Sequence, residues 1–537
     1  MKISATRREH PVIVVGAGIG GLAAALSLAA AGQAVTVLEA ADVPGGRMRV
    51  ATPGGHAVDA GPTVMTLPHV FEGLFEALGE RMDQHLTLDP LDVLARHAWA
   101  DGSRLDLHAD PERSRQAIAE FAGVRAGDQF ARFVQTARAL HEGLGARFME
   151  AQRPGLLRFA AQLGPLQAWR LRAGTPTRSL WSALGDYFAD PRLRQLFARY
   201  ATYVGSSPYA SPAVLMLIAQ VEMAGVSAIR GGMTQLAHVL AALAQRHGVH
   251  IEYGQAVREI EVQHGRASAV ICQDGTRHPA ASVIFNGDPG ALELGQLGPA
   301  VRSALPARRP RQGSLSALTY AWHARPTGFE LAHHTVFFSD NYRREFTQIF
   351  DQGRLPEAPS VYVCAQDRGS RLDAGSTSAE RLFAIINAPA PGTDATGQPS
   401  RGLHGGACAA ARDAALRLLD TCGLRLDIEA EVETRPGDFA NRFPGSGGSI
   451  YGAACHGWSA PFRRPGSRSA LPGLYLAGGG VHPGPGVPMV AISGRLAAAA
   501  VVADLQGSQH TTATRRMTHP QPSGSPYRGR DSGALSN

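Results

Sequence analysis

The sequence predicts a chain of the α/β class, α+β overall: a parallel β-α-β nucleotide-type domain joined to an antiparallel-sheet domain and a helical region. Three observations predict it. An uncharged stretch, Pro11 to Leu38, reads as strand, glycine turn, helix and strand. Residues near 110–225 carry apolar side chains at three- and four-residue spacing. From Ser314, short β-branched and aromatic runs follow one another.

In order, Val12–Val15 and Val35–Leu38 are β-type runs, Gly16–Gly21 is the turn and Leu22–Ala31 the helix. The glycines argue against a membrane span here. Gln129–Gly143 and Pro191–Tyr200 read as helices, and Ser211-Pro212 opens another. Gly231-Gly232 leads into an amphipathic helix, Met233–Gly248, closed by glycine. Short strands are expected at His250–Tyr253, Ala256–Gln263, Ala267–Cys272 and Ser282–Phe285. Further strands at Leu315–Trp322, Thr335–Phe338, Val361–Cys364 and Leu382–Asn387 read as an antiparallel sheet. Leu474–Leu476 is again a strand, and Ile492–Leu505 a final helix. This divides the chain into a discontinuous nucleotide-binding domain (1–95, 226–295 and 432–506), a helical region (96–225) and a sheet domain (296–431). A Ser/Thr/Pro/Gly/Arg-rich tail (507–537) is expected to be disordered.

A length of 537 residues exceeds one ordinary core and agrees with two or three domains. Hydrophobic residues make up 44% and charged residues 18% of the chain, which suits a large interior. The five cysteines, Cys272, Cys364, Cys408, Cys422 and Cys455, form no C-x-x-C pair and fit free thiols in a reducing, cytoplasmic setting. Met1 to His10 is short and charged, unlike a secretion signal. The net charge of +7 comes from arginine, Lys2 being the one lysine. No basic stripe interleaves with aromatics, so nucleic acid is not expected as a partner. Arg308, Arg309, Arg311, Arg343 and Arg344 are candidates for facing anionic lipid, a solvated surface being the alternative.

Gly16-Ala-Gly18-Ile-Gly-Gly21 fits G-x-G-x-x-G, and Glu39 stands 18 residues beyond Gly21 at the end of the second strand. This is the chemistry of a Rossmann-like site. Gly16 permits a tight turn, Gly18 lets the backbone approach a pyrophosphate, and Gly21 lets the helix pack closely. Glu39 accepts hydrogen bonds from ribose hydroxyls, against a 2′-phosphate. The motif does not by itself choose between NAD and FAD. Pro44-Gly45-Gly46-Arg47 and Asp59-Ala60-Gly61-Pro62-Thr63 follow it, and Arg230-Gly231-Gly232, Val257 and Asn286 mark the middle. Gly473 to Met489, containing Gly478, His482, Val487, Pro488 and Met489, is a second strand and glycine turn leading into a helix.

These separated blocks, over most of residues 11–505, resemble the flavin-binding stretches of amine oxidases, protoporphyrinogen oxidases and carotenoid desaturases. The resemblance implies bound FAD, with Gly16, Gly18, Gly21, Glu39, Gly46, Arg47, Gly61, Pro62, Thr63, Val257, Gly478, Val487, Pro488 and Met489 as its contacts. Amine oxidases usually carry an acidic residue where Gly479 and Gly480 stand. The form His482-Pro-Gly-x-Gly-x-Pro488 is similar to that of carotenoid desaturases. Arg199-Tyr-Ala-Thr-Tyr-Val-Gly-Ser-Ser-Pro-Tyr-Ala-Ser-Pro-Ala213, with Gln220-Val-Glu222 and Gly225-Val226, resembles the 1-hydroxycarotenoid 3,4-desaturases of purple bacteria.

What the resemblance implies is an FAD-dependent desaturase placing a C3,4 double bond in acyclic 1-hydroxycarotenoids, in spheroidene- or spirilloxanthin-type biosynthesis. Hydride would pass from C4 to flavin N5, leaving a C3 proton that a weak base removes. The alternatives are a phytoene or other acyclic carotene desaturase, an amine oxidase, and a non-enzymatic binding protein of the FAD fold. No dedicated catalytic residue is expected. His482 is the candidate acid–base, with loop ordering as its other role. His333-His334 shows no further ligand, so no metal is expected. Trp181, Phe188, Tyr200 and Tyr203 are candidates for a polyene tunnel or for core packing. A nearly insoluble carotenoid implies a peripheral protein on the cytoplasmic side of the inner, photosynthetic membrane, docked through its helical region. Oligomeric state stays open.

Overall fold

Val12–Val15, Ile19–Ala30 and Val35–Leu38 form the expected β-α-β unit in the computed structural model, which describes residues 10–153, 178–306, 312–368, 378–394, 399–400 and 405–517. The two strands sit within a five-stranded parallel sheet, in the order Leu474–Leu476, Ser282–Phe285, Val12–Val15, Val35–Leu38, His250–Glu252. Strand alternation splits its side chains between two cores. Val12, Val14, Val35 and Val37 face the helices Ile19–Ala30, Thr234–Arg246 and Val487–Met517. Ile13, Leu38, Val283 and Leu476 face a three-stranded antiparallel sheet built from Val257–Gln263, Arg266–Cys272 and Arg277–Pro279. Both faces are covered, which is why these strands read as unbroken apolar runs.

The long last helix crosses the first at small residues: a Cβ on Gly494 would lie 2.1 Å from the Gly20 carbonyl oxygen. Val487–Gly507 is long and apolar enough to cross a membrane, yet Ala491, Ile492, Ala497, Ala498 and Val501 are buried in the core, as in the core helix of a folded domain. The tail was expected to lose order at 507, but this helix runs to Met517. A helix already anchored by packing extends at low cost, one hydrogen bond per residue added. Residues 518–537 lie outside the described residues, as do Lys2, Arg308, Arg309 and Arg311.

The second sheet has seven strands, ordered Leu424–Thr434, Ser316–Gly328, Glu380–Ala388, Val361–Ala365, His334–Phe338, Val93–Trp99, Arg104–His108. It departs from the wholly antiparallel expectation at one pairing, His334–Phe338 with Val93–Trp99, which is parallel. The boundary drawn at 95 falls inside Val93–Trp99, and residues 93–108 join this sheet rather than the helical region. Local periodicity had no way to show that pairing, because the partner strand lies more than 200 residues away. One face packs on the helix Gly405–Thr421 through Cys408, Ala411, Ala415 and Leu419. The other packs Ala321, Cys364 and Phe383 on Ala51, Val58 and Ala60 of a short hairpin from the first domain.

Helices Pro111–Ala122, Val124–Leu140, Leu180–Leu184, Pro191–Ala198 and Leu217–Met223 enclose a core of Phe130, Phe133, Phe188, Phe197 and Tyr200. Asp-Pro pairs start three of the chain's helices. Asp110, Asp190 and Asp288 each accept the backbone N–H two residues on, with proline at the first helical position.

Candidate functional site

The glycine turn is held in shape by its own crowding. Gly16 has φ +99°, and a Cβ on Gly21 would meet the Gly16 carbonyl oxygen at 2.0 Å. Asn286, at the end of the neighbouring strand, lies against the turn and donates from Nδ2 to the Gly16 carbonyl at 3.3 Å. Gly45 donates to the Ala17 carbonyl at 3.0 Å, and Gly46, with φ +61°, brings its Cβ direction to 3.5 Å from Gly18 Cα. Gly478, with φ +113°, donates to Ser493 Oγ at 3.2 Å and adjoins Asn286 from the far side. The first strand's turn, the Gly45–Gly46 turn and the Gly478 turn therefore converge, and the helices beginning at Ile19 and Val487 start beside one another. Gly20 lies against Val490, in the turn that Val487, Pro488 and Met489 open.

Glu39 is 8% exposed and is oriented by two backbone donors, Ala17 N–H to Oε2 at 2.6 Å and Ala41 N–H to Oε1 at 2.9 Å. Each carboxylate oxygen keeps a further lone pair. Val257 opens the strand that pairs with Cys272, beyond the Glu39 end of the sheet. Gln255, two residues before it, donates its N–H to the Glu39 carbonyl at 2.8 Å.

Arg47 lies over the Phe443 ring at 4.7 Å and donates from Nη2 to the Ser449 carbonyl at 3.4 Å. Its buried Nε–H has no acceptor among the described residues. Burial pulls its guanidinium below the usual arginine range, against the Asp288 carboxylate and Tyr451. Burial likewise raises Asp288, against Arg47. Gly61 packs on the Arg47 carbonyl, where a Cβ would come within 2.2 Å. Pro62 and Thr63 are half-buried, and Thr63 Oγ1 is hydrogen-bonded to Tyr362 Oη at 2.7 Å. Asp59, by contrast, caps a helix. Its carboxylate accepts Met233 N–H at 2.6 Å and Thr234 Oγ1–H at 2.7 Å, and a Cβ on Gly232 would meet it at 2.1 Å.

Arg47 lies within electrostatic reach of Asp288 and Tyr451, and Tyr362 within reach of Tyr203, and all five keep part of their surface accessible. Among the tunnel candidates, Phe188 and Tyr200 are fully buried core residues, while Tyr203 and Trp181 are half-buried. Tyr203 belongs to a polar knot inside this apolar region. Glu222 accepts Tyr200 O–H at 2.5 Å, Tyr203 O–H at 2.9 Å and Arg199 Nη2–H at 3.4 Å.

His482 is 1% exposed. Its Nε2–H donates to the Ala151 carbonyl at 3.1 Å, and its ring meets Phe148 edge-on. Burial lowers it to about 4, so it is neutral at ordinary pH. These contacts describe a side chain that orders a loop. Sequence reasoning missed Asp288, Tyr362, Tyr451 and Arg464. The last of these holds the Tyr451, Ala453 and Gly479 carbonyls together at 2.9–3.1 Å. It also missed Cys364, which strand pairing sets opposite His334. Ligand-type atoms of His333, His334 and Cys364 lie within 4.8 Å of one another. Burial raises the Cys364 thiol to about 12, and the thiol lies 3.6 Å from His333 Nε2. No sequence spacing reveals a partner contributed by a neighbouring strand.

A cradle that leaves no room for side chains, a buried arginine N–H without an acceptor and an oriented carboxylate fit a dinucleotide with pyrophosphate and ribose. The protein class is a flavoprotein, and the comparisons agree. The family described as "Flavin containing amine oxidoreductase" matches residues 19–376. An oxidoreductase structure from Methanosarcina mazei has a TM-score of 0.57 at 16% identity, covering 92% of this chain and 99% of its own, which supports the fold. Hydroxyneurosporene desaturase of Rubrivivax gelatinosus is 46% identical over 95% of this chain and 96% of its own. Its namesake in Cereibacter sphaeroides is 47% identical over 92% and 98%. The chain belongs to the flavin-containing amine oxidoreductases, in their carotenoid-desaturase branch, and is an FAD-dependent oxidoreductase acting on a carotenoid.

Proposed function

We propose that this enzyme introduces the C3,4 double bond into an acyclic 1-hydroxycarotenoid of the hydroxyneurosporene type, in spheroidene- or spirilloxanthin-type carotenoid biosynthesis. The observation that carries this reading is likeness at 46–47% identity, over nearly full length, to two proteins named hydroxyneurosporene desaturase. Bound flavin supplies the two-electron acceptor for C–H oxidation. Gly16, Gly18, Gly21 and Gly46 admit its pyrophosphate, Glu39 takes the ribose hydroxyls, and Arg47 offers its free N–H. Gly61, Pro62, Thr63, Val257, Gly478, Val487, Pro488 and Met489 complete the contacts.

The half-buried side chains of Tyr203, Tyr362 and Tyr451 orient the polyene. Proton loss beside a polyene-stabilised cation requires only a weak base, so no strongly tuned residue is needed. His482, neutral and tied to Ala151, acts by holding its loop. The enzyme works at the cytoplasmic face of the inner membrane, docked peripherally through its helical region.

The test is expression in one host that accumulates 1-hydroxyneurosporene and in another that accumulates phytoene, followed by pigment absorption spectra. A red shift from the hydroxylated substrate alone is the expected result. Colour arising from phytoene would replace this reading with the acyclic carotene desaturase.

A further inference from the structure

Thr63 stands where two surfaces meet. On one side, Gly61 packs on the Arg47 backbone within the glycine cradle. On the other, Thr63 Oγ1 is joined at 2.7 Å to Tyr362 Oη, on a sheet face that also carries His334, Cys364, Phe383 and Ile385. Tyr362 Oη is itself held at 2.7 Å by His334 Nδ1 and lies beside the Cys364 thiol. The phenol is thus fully engaged and fixed in place. The Thr63 hydroxyl is not: it has one donor and two acceptor positions, and Tyr362 occupies one of the three.

We propose that Thr63, positioned by Tyr362, is the specificity residue that hydrogen-bonds the tertiary hydroxyl of the substrate. The inference rests on the proposed 1-hydroxycarotenoid substrate. C1, which carries the hydroxyl, is three carbon–carbon bonds from C4, a span of about 4 Å. The hydroxyl therefore enters the site together with the reacting C–H bond and must find its partner beside the cofactor, not at the far end of the tunnel. Thr63 offers such a partner two residues beyond the Gly61 step. A site built to bond a hydroxyl also disfavours the analogue that lacks it, because the protein group is then left unpaired away from water. His334 and Tyr362 contribute by fixing the Thr63 rotamer, so their effect on binding passes through Thr63.

The experiment uses FAD-loaded wild type, Thr63→Val, Thr63→Ser and Tyr362→Phe in detergent micelles. Dissociation constants for 1-hydroxyneurosporene and for neurosporene are read from the polyene absorption shift. Flavin content and flavin spectrum are recorded for each protein. Wild type should favour the hydroxylated carotenoid. Thr63→Val should lower that preference about fivefold to tenfold, Thr63→Ser should restore most of it, and Tyr362→Phe should fall between. Because Thr63 also stands among the flavin contacts, the two dissociation constants are compared at equal flavin loading, and the preference is their ratio on holoenzyme alone. An unchanged preference in Thr63→Val would overturn the assignment, as would equal losses for both carotenoids. Wild type that desaturates phytoene and not the hydroxylated carotenoid would instead remove the substrate reading beneath it.

Discussion

Replacing Glu222 by glutamine removes one charge from the polar knot and leaves nearly the same shape. In the folded protein Arg199 is 8% and Glu222 6% exposed, so neither charge is hydrated. Burial alone disfavours the Arg199 cation; Tyr203 and the Glu222 carboxylate outweigh it and hold the guanidinium above the normal arginine range. Without the carboxylate, Arg199 keeps the Tyr203 ring at 5.0 Å but loses its counter-charge. Breaking a buried pair from one side costs about 3–5 kcal/mol. The double variant Arg199→Met/Glu222→Gln removes the stranded cation, and the glutamine oxygen still accepts one tyrosine hydroxyl. It should be about 2 kcal/mol more stable than Glu222→Gln alone. Urea unfolding followed by tryptophan fluorescence, with flavin release recorded in parallel, measures both. A Glu222→Gln variant within about 1 kcal/mol of wild type would refute the reasoning, as would a double variant less stable than that single one.

Two further predictions concern the cofactor end. An unfolded histidine titrates near 6.5 and folded His482 at about 4, so the folded state favours the neutral ring. Its contribution to stability is complete above pH 6.5 and is lost as pH falls toward 4, on the order of 3 kcal/mol in all. Urea midpoints at pH 7.0, 5.5 and 4.5 should show a slope that His482→Gln flattens, and parallel slopes would contradict the burial argument. Gly494→Ala places a Cβ 2.1 Å from the Gly20 carbonyl oxygen. It should force the two helices apart at about 1–3 kcal/mol and weaken FAD retention, visible as a lower flavin-to-protein absorbance ratio.

The cofactor end of this molecule was legible in sequence because its demands are local and steric. A Cβ on Gly21 collides with the Gly16 carbonyl, one on Gly45 with the Met48 carbonyl and one on Gly61 with the Arg47 carbonyl. Each such demand leaves a glycine at a fixed offset from a strand end. Glu39 is readable for the same reason, since its two backbone donors, Ala17 and Ala41, lie in the same β-α-β unit. Asp59 shows the limit of motif reading. It sits among flavin-motif residues but answers to the N-terminus of a helix 175 residues further on.

The seam between Thr63 and the second sheet is built by contacts with no local signature. Thr63 meets Tyr362 across 299 residues, and Cys364 reaches His333 only through the pairing of adjacent strands. Period-2 alternation marks His334, Tyr362 and Cys364 as strand residues but not the shared face on which they meet. Within the stretches that resemble the 3,4-desaturases, residues 199–213, 220–222 and 225–226, the side chains of Arg199, Tyr200 and Tyr203 meet the Glu222 carboxylate. The stability of Arg199→Met/Glu222→Gln relative to its single variants measures how far Arg199 and Glu222 depend on each other.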